Sequence, residues 1–177
     1  MRPTVRGLIV AMLMLPGALA LAEAPVATLK VDLDAVKAAG AVQPVNGLSS
    51  SGQPDAEALD VFADSGYAAV IDLRGASETR GLDEPQAVAE RGMTYVPFPI
   101  PGSDDITFEN AGALKALIDA QSGPVLLHCG SGNRVGAMLA LIASLEGADD
   151  DAALAYGREG GMTRLEPVVR ERLAGDE

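Results

Sequence analysis

The chain has 177 residues, 48% of them apolar, with no Trp, three Tyr and three Phe. That is enough length for one domain with a proper core, and a core built mainly from Ala, Val, Leu and Ile favours an α/β layer arrangement over an aromatic-rich β-sandwich. A net charge of −12 argues against nucleic acid and anionic membranes as partners.

The first segment reads as an export signal. Arg2 and Arg6 form a basic flank, and 7-GLIVAMLMLPGALAL-21 is an apolar run too short to span a bilayer. Small residues at A-x-A spacing follow, and cleavage is expected after Ala22, giving a signal peptide over 1–22 and an exported product, periplasmic or secreted. Loss of the two arginines takes the net charge from −12 to −14. No later run is long and apolar enough for a membrane span, so no membrane association is expected after cleavage. Cys129 is the one cysteine, so no internal disulfide can form. Its thiol is either inert packing or a reactive group, and its surroundings must decide.

Residues 23–44 are rich in Ala and Val with Pro25 and Pro44 near the ends, and are expected to be a linker holding one short helix at Asp34–Ala39. The compact domain is expected over 45–175. It opens with 45-VNGLSSSGQP-54 as a short edge strand and turn, after which Pro54 suits the first position of a helix. Ala58, Leu59, Phe62 and Ala63 share one face of that helix, and Gly66 ends it. The run 68-AAVIDLR-74 has the pattern of a buried strand. A helix over Glu84–Glu90 closes at Gly92, and 93-MTYVPFP-99 is a strand kept to an edge by Pro97. The loop 100-IPGSDDI-106 leads to a helix over Phe108–Ala120 with Thr107 as its N-cap. Strand 124-PVLLHC-129, a Gly-rich turn and a very apolar helix to about Leu145 follow, then two more helices at Asp149–Tyr156 and Thr163–Leu173. This alternation implies a mainly parallel sheet flanked by helices. The loops after Leu73, Ile100 and Cys129 then fall at the carboxyl ends of strands, where such sheets carry their sites.

The turn in 124-PVLLHCGSGNRVGAM-138 carries the chemistry. A strand-to-helix turn points several backbone N–H groups at one spot, and the helix dipole adds positive charge there, so a tetrahedral anion is favoured. Gly130, Gly132 and Gly136 permit the conformations and close approach of such a nest. Phosphate-binding backbone is expected from Gly130, Ser131, Gly132, Asn133, Arg134 and Val135. The same field stabilises a thiolate at Cys129. Arg134 offers a two-pronged grip on phosphate oxygens, and His128 can orient the loop by hydrogen bonding to backbone. The competing interpretation of each is ordinary packing: a small cysteine ending a buried strand, and a structural histidine.

Together with 47-GLSSSGQPDAEALDVFADSGYAAVIDLRGASE-78, the loop resembles the bacterial beta-lactamase-hydrolase-like phosphatase family. That family is a branch of the dual-specificity, tyrosine-phosphatase-like fold. The common loop of cysteine phosphatases has five residues between Cys and Arg. Here Gly130, Ser131, Gly132 and Asn133 are the four that separate them, a spacing the family shares. The resemblance implies Cys129 as nucleophile and Arg134 as phosphate ligand and stabiliser. It also implies an aspartate on a separate loop as general acid, for which Asp105 and Asp104 are the candidates. Arg74 and Glu78 would buttress the loop. Many relatives carry Ser or Thr directly after the arginine to help the sulfur leave; Val135 stands there, so slow release of the intermediate is expected.

The expected activity is hydrolysis of a phosphate monoester, on a protein or a small molecule, with no cofactor and no metal. One His and one Cys cannot make a His/Cys site. Two alternatives stay open: a rhodanese-like sulfurtransferase using a Cys129 persulfide, which has the same loop length, and a non-catalytic phosphate-binding module.

Overall fold

The computed structural model describes residues 24–175; the expected signal peptide over 1–22 lies outside them. Four strands, β1 (Leu48–Ser51), β2 (Ala69–Asp72), β3 (Thr94–Pro97) and β4 (Val125–His128), form one parallel sheet in the order β1-β4-β2-β3. Seven α-helices are described: α1 (Leu33–Ala39), α2 (Ala56–Asp64), α3 (Glu84–Glu90), α4 (Phe108–Asp119), α5 (Asn133–Leu145), α6 (Asp150–Glu159) and α7 (Glu166–Leu173). The fold is the expected α/β one.

Alternate residues of the central strands feed opposite faces, as the two-residue period of a strand requires. Ala69, Ile71, Val125 and Leu127 join a core under α4, α5, α6 and α7. Val70 and Leu126 join a second core with Val36 of α1, Leu59 and Phe62 of α2, and Val88 of α3. Burial on both faces explains why β2 and β4 read as unbroken apolar runs. Each fully buried Leu, Ile or Phe contributes about 1.5–3 kcal/mol.

The segment expected to be a linker is part of this body. Leu29, Val31, Val36 and Val42 are buried, and backbone bonds tie Val31 N–H to the Ser50 carbonyl (2.9 Å) and Ser50 N–H to the Leu29 carbonyl (2.7 Å). Four apolar side chains spaced along an Ala-rich stretch are enough to anchor it, and their docking covers the outer edge of β1, which an exposed edge strand requires. The three serines of β1 are buried and bonded: Ser49 Oγ to Tyr67 OH (2.6 Å), Ser50 Oγ to the Gly160 carbonyl (2.6 Å) and Ser51 Oγ to the Gly52 carbonyl (2.7 Å).

Pro54 lies outside α2, because the Asp55 carboxylate caps it by accepting from Ala58 N–H (2.8 Å). The helix after β4 is as apolar as expected, and Val135 through Ile142 are buried without interruption. Gly136 has a different role from the one its place in the motif suggests. A Cβ there would stand 2.1 Å from Met162 N and 2.4 Å from the Gly157 carbonyl oxygen. The missing side chain lets α5 and α6 approach closely. It belongs to helix packing and not to the anion nest.

Candidate active site

The loops after Leu73, Ile100 and Cys129 meet as expected, with the Leu73 carbonyl 3.4 Å and the Ile100 carbonyl 3.1 Å from Arg134 Nη1, and the turn after β1 joins them through Gly52. Cys129 follows β4 directly and is 1% exposed. Gly132 takes φ +87° at the N-terminus of α5, a conformation suited to glycine, and its N–H donates to Cys129 Sγ (3.1 Å). The sulfur thus meets a backbone donor at the positive end of a 13-residue helix. Gly130 and Ser131 are exposed, so the loop opens to solvent. Ser131 is bridged to Gly52 after β1. Asn133 turns its side chain away: Oδ1 accepts from Thr163 N (2.7 Å), Thr163 Oγ1 (3.1 Å) and Leu165 N (3.3 Å).

Arg134 is aimed across the loop by a carboxylate fork. Its Nη1 and Nη2 donate to Glu78 Oε1 (2.6 Å) and Oε2 (2.7 Å), and Nη1 also reaches the Ile100 carbonyl (3.1 Å). Glu78 additionally accepts from Gly75 N–H (2.8 Å). The Arg134 hydrogen bonds hold the Glu78 carboxyl down at about 2, against the opposing effect of partial burial. Glu78 in turn raises the Arg134 guanidinium further above its ordinary value. Arg74 is buried, with Nη2 donating to the Thr79 carbonyl and Nε 3.6 Å from Glu78 Oε2. Both residues therefore touch the loop's arginine or its holder.

Asp104 and Asp105 sit on a 3₁₀ turn, Ser103–Asp105, directly after the Ile100 carbonyl that Arg134 contacts. Asp105 Oδ2 accepts from Gly102 N–H (3.1 Å), and its carbonyl accepts from Asn110 Nδ2 (2.8 Å). Asp104 is exposed, with Ser103 Oγ its neighbour (3.4 Å). Val135 is fully buried in the core beneath α5.

Sequence reasoning missed what lies behind the loop. The β2–β4 register sets Asp72 beside His128. His128 Nε2 lies 2.9 Å from Glu84 Oε1 and 3.5 Å from Asp72 Oδ1, and all three side chains are completely buried. The ring thus faces two carboxylates and not the backbone expected for it. Arg80 Nε reaches Asp72 Oδ2 (2.7 Å) and lies 3.6 Å from Glu84 Oε2, while Tyr95 OH donates to Asp72 Oδ2 (2.8 Å). Burial, then the Asp72 bond, pushes the Tyr95 phenol well above its usual range. Asp72, Glu84 and His128 place donor atoms within 4.8 Å of one another. Arg80 already supplies a cation between the two carboxylates, so the cluster reads as a buried ionic support behind the Cys129 loop. Polar residues in the D-L-R run and at the start of α3 were the available signal. Their convergence needed the strand register.

A groove of about 390 Å³ lies beside the loop, lined by Lys30, Asp32, Asp34, Lys37, Asp55 and Ser131 among others. A larger cavity of about 470 Å³, lined by Leu48, Ile118, Leu139, Ile142, Glu146 and Tyr156 among others, contains none of the loop residues. Of the two, only the smaller groove reaches the loop, at Ser131.

Residues 31–160 match the model of a family described as DSP-PTPase phosphatase fused to NAD+ kinase. A beta-lactamase hydrolase-like protein of Xylella fastidiosa (strain Temecula1) is 36% identical over 141 residues, 72% of this chain and 32% of that protein. The chain thus spans a third or less of the curated relatives it matches. Among solved structures, a phosphatase of Neisseria meningitidis z2491 superposes with a TM-score of 0.61 at 24% identity, over 72% of this chain and 92% of the other. A DUF442 phosphatase of Shewanella putrefaciens CN-32 gives 0.54 at 22% identity, over 75% and 88%. At these identities the structural likeness speaks for the fold.

Proposed function

From the premise that this chain belongs to the family of DSP-PTPase phosphatases fused to NAD+ kinase, we propose that it is a cysteine-dependent phosphatase acting on phosphate monoesters. The observation that carries the reading is the convergence on one loop of a backbone-bonded Cys129 sulfur and a Glu78-clamped Arg134. In the proposed reaction the Cys129 thiolate attacks phosphorus and the P–O ester bond breaks. The leaving oxygen takes a proton from Asp104 or Asp105. The loop N–H groups and Arg134 hold the three equatorial oxygens, a task of positioning and charge stabilisation. Water then attacks the phosphocysteine, the P–S bond breaks, and the same aspartate recovers the proton. The substrate is a phosphorylated protein or a small phosphoester, and the basic, apolar leader over 1–22 supports export.

Hydrolysis of p-nitrophenyl phosphate by the purified protein tests this. Cys129→Ser is expected to abolish turnover while keeping phosphate binding. Of Asp104→Asn and Asp105→Asn, the variant lacking the general acid should lose about 10²-fold or more in kcat. Thiocyanate formation from thiosulfate and cyanide, without phosphatase activity, would identify a sulfurtransferase instead.

A further inference from the structure

Lys30 comes from the segment that docks on the edge of β1, and its backbone is fixed on both sides. Its N–H donates to the Glu159 carbonyl at the end of α6 (3.1 Å), while its neighbours Leu29 and Val31 bond Ser50. The stem runs past two glycines that both have positive φ. A Cβ on Gly132 would lie 3.1 Å from Lys30 Cε and 3.5 Å from Nζ, and one on Gly161 would lie 2.7 Å from Cδ. The slot exists because neither residue carries a side chain. It delivers an ammonium to the flank of Gly132, whose N–H holds the Cys129 sulfur.

Among the described residues that ammonium has no carboxylate partner. The chain has three lysines, and the other two are each paired twice. Lys37 binds Asp34 (3.0 Å) and Asp55 (2.9 Å), and Lys115 binds Asp119 (2.6 Å) and Glu146 (3.1 Å). Among the described residues no carboxylate lies within 4.0 Å of Lys30 Nζ, although the protein carries 25 acidic residues. Lys30 is also exposed and lines the groove that leads from Ser131. Arg134, the other cation at the loop, is already clamped by Glu78 through both of its terminal nitrogens. The unpaired lysine is therefore free to meet a different anionic group of the same substrate.

We propose that Lys30 forms a second anion subsite beside the catalytic loop, and that the substrate is a small phosphate ester bearing a second phosphoryl group next to the one transferred. This rests on the phosphatase reading of the loop and narrows it. A singly phosphorylated protein side chain would leave the subsite empty.

The test uses Cys129→Ser protein, with calorimetric titration of inorganic phosphate and of tripolyphosphate. Tripolyphosphate should bind more tightly. Adding Lys30→Met should cut that preference about tenfold, the size of one charge pair in a partly screened setting. Lys30→Arg should keep most of it, and raised ionic strength should erode it. Thermal melts of each variant confirm folding. A preference that survives in Lys30→Met, or equal weakening of both anions, would overturn the subsite. Failure of the wild-type protein to hydrolyse p-nitrophenyl phosphate, with the anion preference intact, would instead sink the phosphatase reading and leave the subsite standing.

Discussion

Glu78→Gln isolates the charge that aims Arg134. The amide keeps an acceptor for Gly75 N–H and for one guanidinium nitrogen, but it loses the ionic fork seen at 2.6 and 2.7 Å. The carboxyl is lowered from 4.5 to about 2, which taken alone is worth about 3 kcal/mol. The Glu78 side chain is 33% exposed, so solvent screening reduces the stability contribution to about 1–2 kcal/mol. A depressed carboxyl contributes its full stability above the unfolded-state value near 4.5 and loses it as pH falls toward the folded value near 2. Urea unfolding of wild type and Glu78→Gln should therefore differ by a constant amount between pH 6 and 7, and the gap should shrink once pH drops below about 4.5. Activity should fall alongside, with KM for phosphate esters rising as Arg134 loses its fixed direction. A difference that stays constant down to pH 3.5, or no difference at neutral pH, would refute the argument that this pair is a coupled ionic clamp.

Two further substitutions probe the loop's supports. Gly136→Ala would gain about 1 kcal/mol of helix propensity, but it places a methyl 2.1 Å from a backbone nitrogen. Separating α5 from α6 should dominate, with a net loss at or beyond the upper end of the usual 1–3 kcal/mol overpacking range by urea unfolding; a variant as stable as wild type would show that α6 is not held where described. Val135→Thr buries a hydroxyl in a fully enclosed position, costing about 1–3 kcal/mol if it is unpaired. If it reaches the sulfur, it should instead speed phosphocysteine breakdown and shrink the pre-steady-state burst relative to the steady rate. An unchanged burst would mean that breakdown is not limited by the missing hydroxyl.

The sequence read well wherever one local signal decided the outcome. Helix α3 falls on Glu84–Glu90 as expected, and α4 starts at Phe108 behind its Thr107 cap. Strand β3 takes an edge, as Pro97 requires. Cys129 and Arg134 stand out in the sequence through the apolar strand before them, the Gly-rich turn between them and the apolar helix after them, together with the family resemblance. Failures came where two distant segments had to meet. The 24–44 segment looked like a linker because its apolar residues are diluted by Ala, yet Val31, Val36 and Val42 find pockets that only the folded sheet creates. Gly136 reads as part of the loop because nothing local in the sequence shows that α6 lies against it. His128, Asp72 and Glu84 come from β4, β2 and α3, separated by long stretches of chain, and only the parallel register places them together.

Those supports explain how a loop with only four residues between Cys129 and Arg134 can be competent. Oriented N–H groups are useful to a transition state only if they are already in place, since reorganisation would be charged against the barrier. In this loop each constraint comes from a different part of the fold. His128 is packed against the buried Asp72–Glu84–Arg80 cluster, Ser131 is bridged to Gly52, Asn133 holds the chain before α7, and Arg134 is locked to Glu78. Gly132, at φ +87°, is the residue that closes the turn onto the sulfur. Fewer residues also leave less backbone entropy to lose, about 1–2 kcal/mol for each one that need not be ordered. The short spacing is thus compatible with phosphate chemistry because it is held from behind. It follows that substitutions in the buried cluster should disturb anion binding at the loop without touching a residue that contacts the anion.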